Sequence, residues 1–438
     1  MRNVILVIVC LFLVLVLTAC NAGDSTSNDS YQASGKVYNA ITNHGVADVN
    51  LKVEGSQIET YTASTDDNGN FTLSDLQGTV TITPTKRDTN LFFTSKTIST
   101  EKNNLSLAAH KFLREVDADF KVGVAVTSQY FDESKYQEIV TREFNSLSAE
   151  YEFKQAHVNP AQGEYNWKAV DRISRIAEEN DMRLFVHALA WHRSVPDWMK
   201  DLPAAEFETA LENWVKEMTS HLGDQPVAYD VVNEAFEYPD NGKYRKSVFY
   251  EKLGPEYIKK MFQWAEKYTA DDTLLFYNDT GLCFNGPKLD SALEMIREIN
   301  SEEQLIDGIG FQMHLVKGQL PDLETIRTAF NRAADMGLKI HVSEFDLAMN
   351  PNGSYGTLTD DLAYQQQEKI KEIVSLYNEL PVENKFGFTF WGLKDDHSWL
   401  NNVDYLNFDP PCSQWPLLFD KDFAPKPALY GFIEGIQE

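Results

Sequence analysis

Apolar and polar positions along this chain fall into two textures. From about Ser34 to Leu107, short runs alternate apolar with polar residues and are broken by turn residues. Val46 to Val53 reads Val-Ala-Asp-Val-Asn-Leu-Lys-Val, an alternation that predicts a half-buried strand. Asp67-Asn68-Gly69-Asn70 separates Thr60–Thr65 from Phe71–Leu73, and Asn-Gly between two such runs predicts a β-hairpin. Thr79–Thr83 adds a strand that ends at Pro84. Together these predict a small all-β sandwich over residues 33–108. From about Phe112 onward, apolar strand-like runs recur at Phe120–Val126, Glu143–Leu147, Arg183–Leu189, Val227–Val232, Thr273–Tyr277, Gly308–Met313, Lys339–Glu344 and Phe386–Trp391. Helical patterns lie between most of them, at Phe207–Leu222, Pro255–Tyr268, Lys288–Ile299, Leu323–Met336 and Leu362–Leu380. Strands alternating with amphipathic helices predict a parallel sheet with crossover helices. The eight runs predict a closed (β/α)8 TIM barrel over residues 109–438, so the fold class is α/β with a small N-terminal β-sandwich. A doubly wound sheet is the alternative, but it would want a glycine-rich phosphate loop after its first strand, and none is there.

Ahead of both regions, Arg2 precedes an apolar run from Val4 to Leu17. The run is shorter than the ~20 residues a spanning helix needs. It reads as the core of a signal peptide over residues 1–19. Leu17-Thr18-Ala19-Cys20 resembles a bacterial lipobox, which implies a lipidated Cys20 as the mature N-terminus; an ordinary secretory signal is the alternative. Residues 20–32, rich in Ser, Asn and Asp, read as a flexible tether. The expected location is the bacterial cell envelope, surface-exposed or periplasmic, with membrane attachment by the lipid alone. Cys283 and Cys412 then remain, and the sequence leaves open whether they pair.

Hydrophobic residues at 43 % and aromatics at 12 % exclude a disordered chain. The formal net charge of −27 argues against nucleic acid as a partner, because phosphate binding needs basic patches. A neutral polymer stays compatible with that charge.

In a barrel the active site lies at the C-terminal ends of the strands. The fourth predicted strand ends in Asn233-Glu234 and the seventh in Ser343-Glu344, followed by Asp346. The third carries His187, Trp191 and His192, the sixth Gln312 and His314, and the eighth Trp391, with Trp399 following. Glu234 and Glu344 are therefore expected to face each other across one mouth. Two carboxylates flanking a bond, one acid and one nucleophile, are the arrangement of a retaining glycosidase. Desolvation and the partner's charge are expected to keep the acid protonated, while donors keep the nucleophile ionised. The tryptophans offer flat faces for sugar rings. A metal hydrolase built on His187, His192, His314 and His341 is the weaker alternative. No His-x-His pair closes the first strand and no His-Glu-x-x-His helix exists, so no metal is expected. A lipoprotein that binds carbohydrate without cutting it is a third reading, which the paired glutamates disfavour.

These runs closely resemble glycoside hydrolase family 10, the xylanase family of clan A, from about Phe112 to Ile433. Asp230–Ala235 matches its acid/base segment, Ile306–Leu315 its sixth-strand motif and Ile340–Asp346 its nucleophile segment, with Ser343 and Phe345 where Thr and Leu are usual. Phe390-Trp391-Gly392, Ser398-Trp399-Leu400, Pro416–Asp420 and Pro425–Ala428 match its C-terminal signature. The resemblance implies an endo-β-1,4-xylanase acting on xylan or xylooligosaccharides with retention and without a cofactor. It implies Glu234 as acid/base, Glu344 as nucleophile and Asn233 as donor to the sugar's 2-hydroxyl. Gln312, His314 and His341 would orient and tune the nucleophile, with Asp346 behind them. Glu150, Lys154, His187, Trp191, Trp391 and Trp399 would line the non-reducing-side subsites. A monomer is expected. The stretch Thr65 to Leu73 separately resembles the carboxypeptidase regulatory-like domain, which implies a spacer; sugar binding through Tyr61, Phe92 or Phe93 is the alternative. Three local departures stand out in the barrel. Tyr151 and Ser194 replace an Asn and a Gln that the family places on the second non-reducing-side sugar, and Thr280-Gly281 alters the motif after Asn278-Asp279.

Overall fold

The computed structural model describes residues 30–39, 44–86, 91–93, 95–116, 118–237, 241–401 and 412–437. The expected signal peptide, Cys20 and nearly all of the expected tether lie outside the described residues.

The first region packs two four-stranded sheets face to face. Its strands are β1 (Tyr31–Asn39), β2 (Asn50–Gly55), β3 (Ile58–Ser64), β4 (Asn70–Leu76), β5 (Val80–Thr85), β6 (Leu91–Phe93), β7 (Lys96–Ile98) and β8 (Lys102–Lys111). One sheet has the order β4-β1-β8-β6 and the other β3-β2-β5-β7. Alternate residues point inward, so Val37, Leu51, Val53, Phe71, Leu73, Val80 and Ile82 form a shared apolar core. β1 starts just inside the stretch expected to be tether, and the Tyr31 hydroxyl donates to Gly78 O at 2.8 Å. The Asn-Gly turn does not close a hairpin. β3 pairs with β2 while β4 pairs with β1, so the turn carries the chain from one sheet to the other. The Asp66 carboxylate accepts from the Asn68 and Asn70 amides at 2.9 and 2.7 Å, and Gly69 O accepts from Val37 N at 2.8 Å. Local chemistry sets the turn; which face had to be buried settles the partner of each strand.

The second region is an eight-stranded parallel barrel. Its strands are β9 (Lys121–Val126), β10 (Ser146–Ala149), β11 (Arg183–Trp191), β12 (Pro226–Asn233), β13 (Leu274–Asp279), β14 (Gly308–Phe311), the short β15 (His314–Val316), β16 (Lys339–Ala348) and β17 (Lys385–Phe390). Pairing of β17 with β9 and of β14 with β16 closes the ring, and β15 extends along β16. Helices α1 (Ser134–Glu143), α2 (Gln155–Val158), α3 (Lys168–Glu179), α4 (Asp197–Lys200), α5 (Ala204–Leu222), α6 (Val248–Leu253), α7 (Tyr257–Tyr268), α8 (Pro287–Glu302), α9 (Leu323–Ala334), α10 (Asp360–Asn378) and α11 (Pro427–Gln437) surround it. Their starts follow capping chemistry: Asp322 accepts from Thr325 N, Thr359 accepts from Leu362 N, and Pro287 occupies the first turn of α8. The expected strand at Glu143–Leu147 begins later. Glu143 instead ends α1, fully buried, with Leu113 N donating to it at 3.1 Å and Arg142 Nε at 3.0 Å. An apolar run across a helix end and a strand start has no internal mark of where one stops. Gly310, on β14, makes room for a side chain of the barrel mouth. A Cβ there would sit 2.1 Å from Asn278 Oδ1, so only glycine lets that carboxamide lie against β14.

Candidate active site

Each strand delivers polar side chains to the same mouth. Glu344, on β16, is buried and ringed by donors. Asn278 Nδ2 donates to its Oε1 at 2.7 Å and His314 Nε2 to its Oε2 at 3.2 Å, with His187 Nδ1 3.8 Å from Oε1. His314 also donates through Nδ1 to Asp346 Oδ2 at 2.9 Å, and Trp399 Nε1 donates to the same oxygen at 2.9 Å. Burial disfavours a charged imidazole, yet the Asp346 and Glu344 carboxylates overcome it and push His314 up to about 10. His314 is thus an imidazolium bridging two carboxylates at neutral pH. His187 faces Asp230 Oδ2 at 2.8 Å. Burial, then Lys154, holds His187 well below its usual range, so this ring stays neutral.

Glu234 follows β12 in a left-handed backbone conformation, φ 58°. Its carboxyl receives Gln312 Nε2 at 3.3 Å and Trp191 Nε1, with His192 Nδ1 at 3.7 Å and Arg245 Nη2 at 3.8 Å. Burial favours the neutral acid here, but His192, Gln312, Trp191 and Arg245 outweigh it and hold the carboxyl below its ordinary range. That reverses the expectation of an acid kept protonated by desolvation; the neighbours that would do so are outnumbered by donors. His192 itself is lowered to about 4 by burial, against the pull of Glu234.

Between the two glutamates lies an amide network. Asn278 Nδ2 and Gln312 Nε2 both come within 3.1 Å of the Asn233 carboxamide, and Trp191 Nε1 lies 3.3 Å from its other side. Ser343 Oγ donates to Asn278 Oδ1 at 2.7 Å, so Asn278 ties β12, β13 and β16 together. Gln312 therefore touches Glu234 and Asn233; its link to Glu344 is through its backbone carbonyl, which accepts from Glu344 N at 3.2 Å. His341 corrects the expectation further. Its Nε2 pairs with Thr389 Oγ1 at 2.8 Å, among Phe185, Phe276 and Phe386, one layer below the mouth. It does not touch the nucleophile, because the strand turns its side chain into the barrel interior.

On the other side of Glu344, Lys154 is buried with Nζ 4.0 Å from the Trp191 ring centroid, 5.2 Å from Tyr151 and 5.9 Å from Trp391. The Trp391 ring meets His187 edge-on at 5.1 Å and Trp399 meets His314 at 4.8 Å. Glu150, buried at the end of β10, is pushed up to about 8 by burial against the pull of Lys154, which makes it a hydrogen-bond donor at neutral pH. Tyr151 stands 43 % exposed on the rim. Ser194 is buried and its Oγ accepts from Ala156 N at 3.2 Å.

Sequence reasoning gives no role to four side chains of this site. Asn278 and Asp279 lie at the fully buried end of β13 beneath the mouth, not on its rim. Asp230 enters only as the first residue of the matched acid/base segment, and Arg245 carries no signal beyond a charged residue after an apolar run. Asp279 is held by Lys288 Nζ at 2.7 Å and by the Tyr277 hydroxyl, and it accepts from Phe236 N at 3.4 Å under the Glu234 turn. Burial pushes Asp279 up to about 6 against the attraction of Lys288. Both partners of this ion pair are fully buried. Lys288→Met is expected to cost about 3–5 kcal/mol of stability, because it strands a buried carboxyl. Urea unfolding measures this, and a loss under about 1 kcal/mol would contradict it. Among the described residues no cluster of three His, Cys, Asp or Glu side chains is arranged to hold a metal ion. Cys283 and Cys412 are both free thiols, and burial pushes Cys283 up to about 12.

A (β/α)8 barrel whose mouth sets two glutamates among aromatic rings and amide donors is the architecture of a glycoside hydrolase. The model of "Glycosyl hydrolase family 10" matches residues 113–435, and the chain belongs to that family. It is 31 % identical over 372 residues to endo-beta-1,4-xylanase Xyn10C of Cellvibrio japonicus, covering 78 % of this chain and 61 % of that protein. It is also 31 % identical over 322 residues to endo-1,4-beta-xylanase B of Thermotoga neapolitana, covering 72 % of this chain and 88 % of that one. Among solved structures, xylanase 10B of Thermotoga maritima superposes with TM-score 0.68 at 32 % identity, over 74 % of this chain and 98 % of that chain. Native xylanase 10C of Cellvibrio japonicus superposes with TM-score 0.70 at 27 % identity over 89 % of this chain and 87 % of that chain, a share that reaches into the N-terminal region.

Proposed function

We propose that this protein is a retaining endo-β-1,4-xylanase tethered to the bacterial cell envelope. The observation that carries the reading is the environment of the two glutamates, one on each side of the Asn233–Asn278–Gln312 network. Glu344 attacks the anomeric carbon while Glu234 gives its proton to the departing sugar oxygen, forming a glycosyl–Glu344 ester. A water then attacks the same carbon as Glu234 takes its proton and Glu344 leaves, which regenerates both groups. Asn233 contacts the 2-hydroxyl of the reacting sugar. His314 carries positive charge beside the oxygen that becomes ester and then carboxylate again. Lys154, Glu150, His187, Trp191, Trp391 and Trp399 hold the non-reducing side of the chain. Similar proteins support xylan as the substrate: those named above are xylanases, and xylanase 10B of Thermotoga petrophila, 31 % identical, has been solved with xylobiose.

The lipobox at Cys20 makes the lipid the membrane attachment, and residues 33–108 act as a carboxypeptidase regulatory-like spacer between anchor and barrel. The spacer role is supported by Tyr61 and Phe93, which pack against the sandwich core, and by the Tyr61 hydroxyl, which donates to Ser74 O at 3.3 Å.

The decisive experiment is hydrolysis of linear xylan and of a β-glucan, with products resolved by length. Short xylooligosaccharides from xylan, and little from glucan, are expected; no cleavage of linear xylan would move the substrate to another glycan. Tyr151 and Ser194 favour a chain carrying side groups. Neither supplies the amide expected on the second non-reducing-side sugar, and Tyr151 instead presents an exposed ring beside Lys154. Loss of two such bonds weakens that subsite by ~1–3 kcal/mol. The double variant Tyr151→Asn, Ser194→Gln is therefore expected to lower KM on linear xylotetraose by roughly tenfold or more and to shift the products toward xylobiose. An unchanged KM and product profile would show that this subsite does not depend on those positions.

A further inference from the structure

The Glu234 turn is held in an uncommon backbone conformation, with φ 58° at a residue that carries a side chain. Such a conformation persists only where its surroundings impose it. One arginine makes three hydrogen bonds to this turn, beside Glu234 N donating to Asn278 O at 2.9 Å. Arg245 Nε donates to Glu234 O at 3.0 Å and Nη2 donates to Phe236 O at 2.9 Å, while Arg245 N donates to Ala235 O at 2.8 Å. The same Nη2 lies 3.8 Å from Glu234 Oε2. Residues 234–236 are thus gripped through three successive carbonyls by one arginine, whose charge also faces the carboxylate.

We propose that Arg245 is the positioning residue of the acid/base: it fixes the turn that aims Glu234 and, by its charge, favours the carboxylate that must accept a proton from water in the second step. The proposal rests on the reading of Glu234 as acid/base. A guanidinium suits both tasks because its planar fork reaches two carbonyls and a carboxylate at once, and it never gives up its proton. The other groups facing Glu234 cannot substitute. His192, Gln312 and Trp191 also favour the carboxylate, but they act on the carboxyl and not on the carbonyls of the turn, and Asp279, beneath the turn, opposes ionisation. Lys154 attracts Glu234 together with Glu344, Glu150 and Asp230, and Lys288 is paired with Asp279 at 2.7 Å.

The pH profile of the enzyme tests this role. Glycosylation needs protonated Glu234, so kcat/KM falls on the alkaline side as Glu234 loses its proton. Removing the cation raises the Glu234 pKa, so in Arg245→Gln the alkaline limb of kcat/KM on xylooligosaccharides is expected to move up by about one pH unit. In Arg245→Lys the charge is kept and the fork is lost, so the limb stays near its original place while kcat falls. An alkaline limb unmoved in Arg245→Gln, measured on protein that unfolds like the original, would overturn the proposal. So would equal displacement in both variants. Glu234→Gln separates the two levels: full activity on xylan in that variant would instead overturn the acid/base reading itself.

Discussion

Glu344→Ala is expected to reduce xylan hydrolysis by roughly 10⁴-fold or more, leaving the fold intact. The size follows from the site. Glu344 is the one carboxyl that receives Asn278, His314 and the flank of His187 together. Asp346, the nearest carboxyl on the same strand, is turned onto His314 Nδ1 and Trp399 Nε1 and cannot replace it. Truncation also opens space at the anomeric face. Azide entering that space is expected to attack an activated aryl xylobioside from the face that Glu344 used, giving the α-glycosyl azide. Retention of a tenth of the original xylan activity would refute the assignment of Glu344 as nucleophile, as would formation of the β-azide.

Glu234→Ala is expected to separate substrates by leaving group. On xylan, whose departing alkoxide needs a proton, kcat/KM should fall by roughly 10²–10⁴-fold. On a dinitrophenyl xylobioside, whose leaving group needs none, the first step should survive while the second lacks its base. The glycosyl–Glu344 intermediate then accumulates, seen as a burst of dinitrophenolate followed by slow turnover, and added azide should release it as the β-azide. Equal loss on both substrates with no burst would remove Glu234 from the acid/base role. In the free protein its neighbours hold Glu234 below its ordinary range, and displacement of water by an arriving sugar chain favours the neutral acid.

Most of the architecture is legible along the chain because barrel strands are buried on both faces and read as short apolar runs between amphipathic helices. The runs at Arg183–Leu189 and Lys339–Glu344 fall within β11 and β16, both of which continue further toward the mouth. Polar residues at the ends of such runs break the pattern where packing would not ask for them, which is why Glu234, Glu344, His187 and His314 stand out. α1 and α3 are not among the predicted helices, although Tyr136, Ile139 and Val140 and then Val170, Ile173 and Ala177 do carry a helical period along one buried face. In the N-terminal region, Asn-Gly correctly marks a turn but not its sheet partners.

Residue identity and spacing were enough to determine the barrel, its catalytic end and the two glutamates, because periodicity, strand-end polarity and motif order are all local properties of the chain. They could not determine which side chains meet across the mouth. His341 and Glu344 share one strand, yet one is held by Thr389 in the interior and the other by Asn278 and His314 at the rim. Gln312 reaches Glu234, Asn278 bridges both catalytic strands, and Arg245 returns from the loop after Phe236 to clamp the acid/base turn. Such contacts join residues far apart in sequence, and the charge each glutamate carries is the sum of those contacts. That sum exists only once the strands have closed into a ring, when desolvation, donors and neighbouring cations act on one carboxyl at the same time.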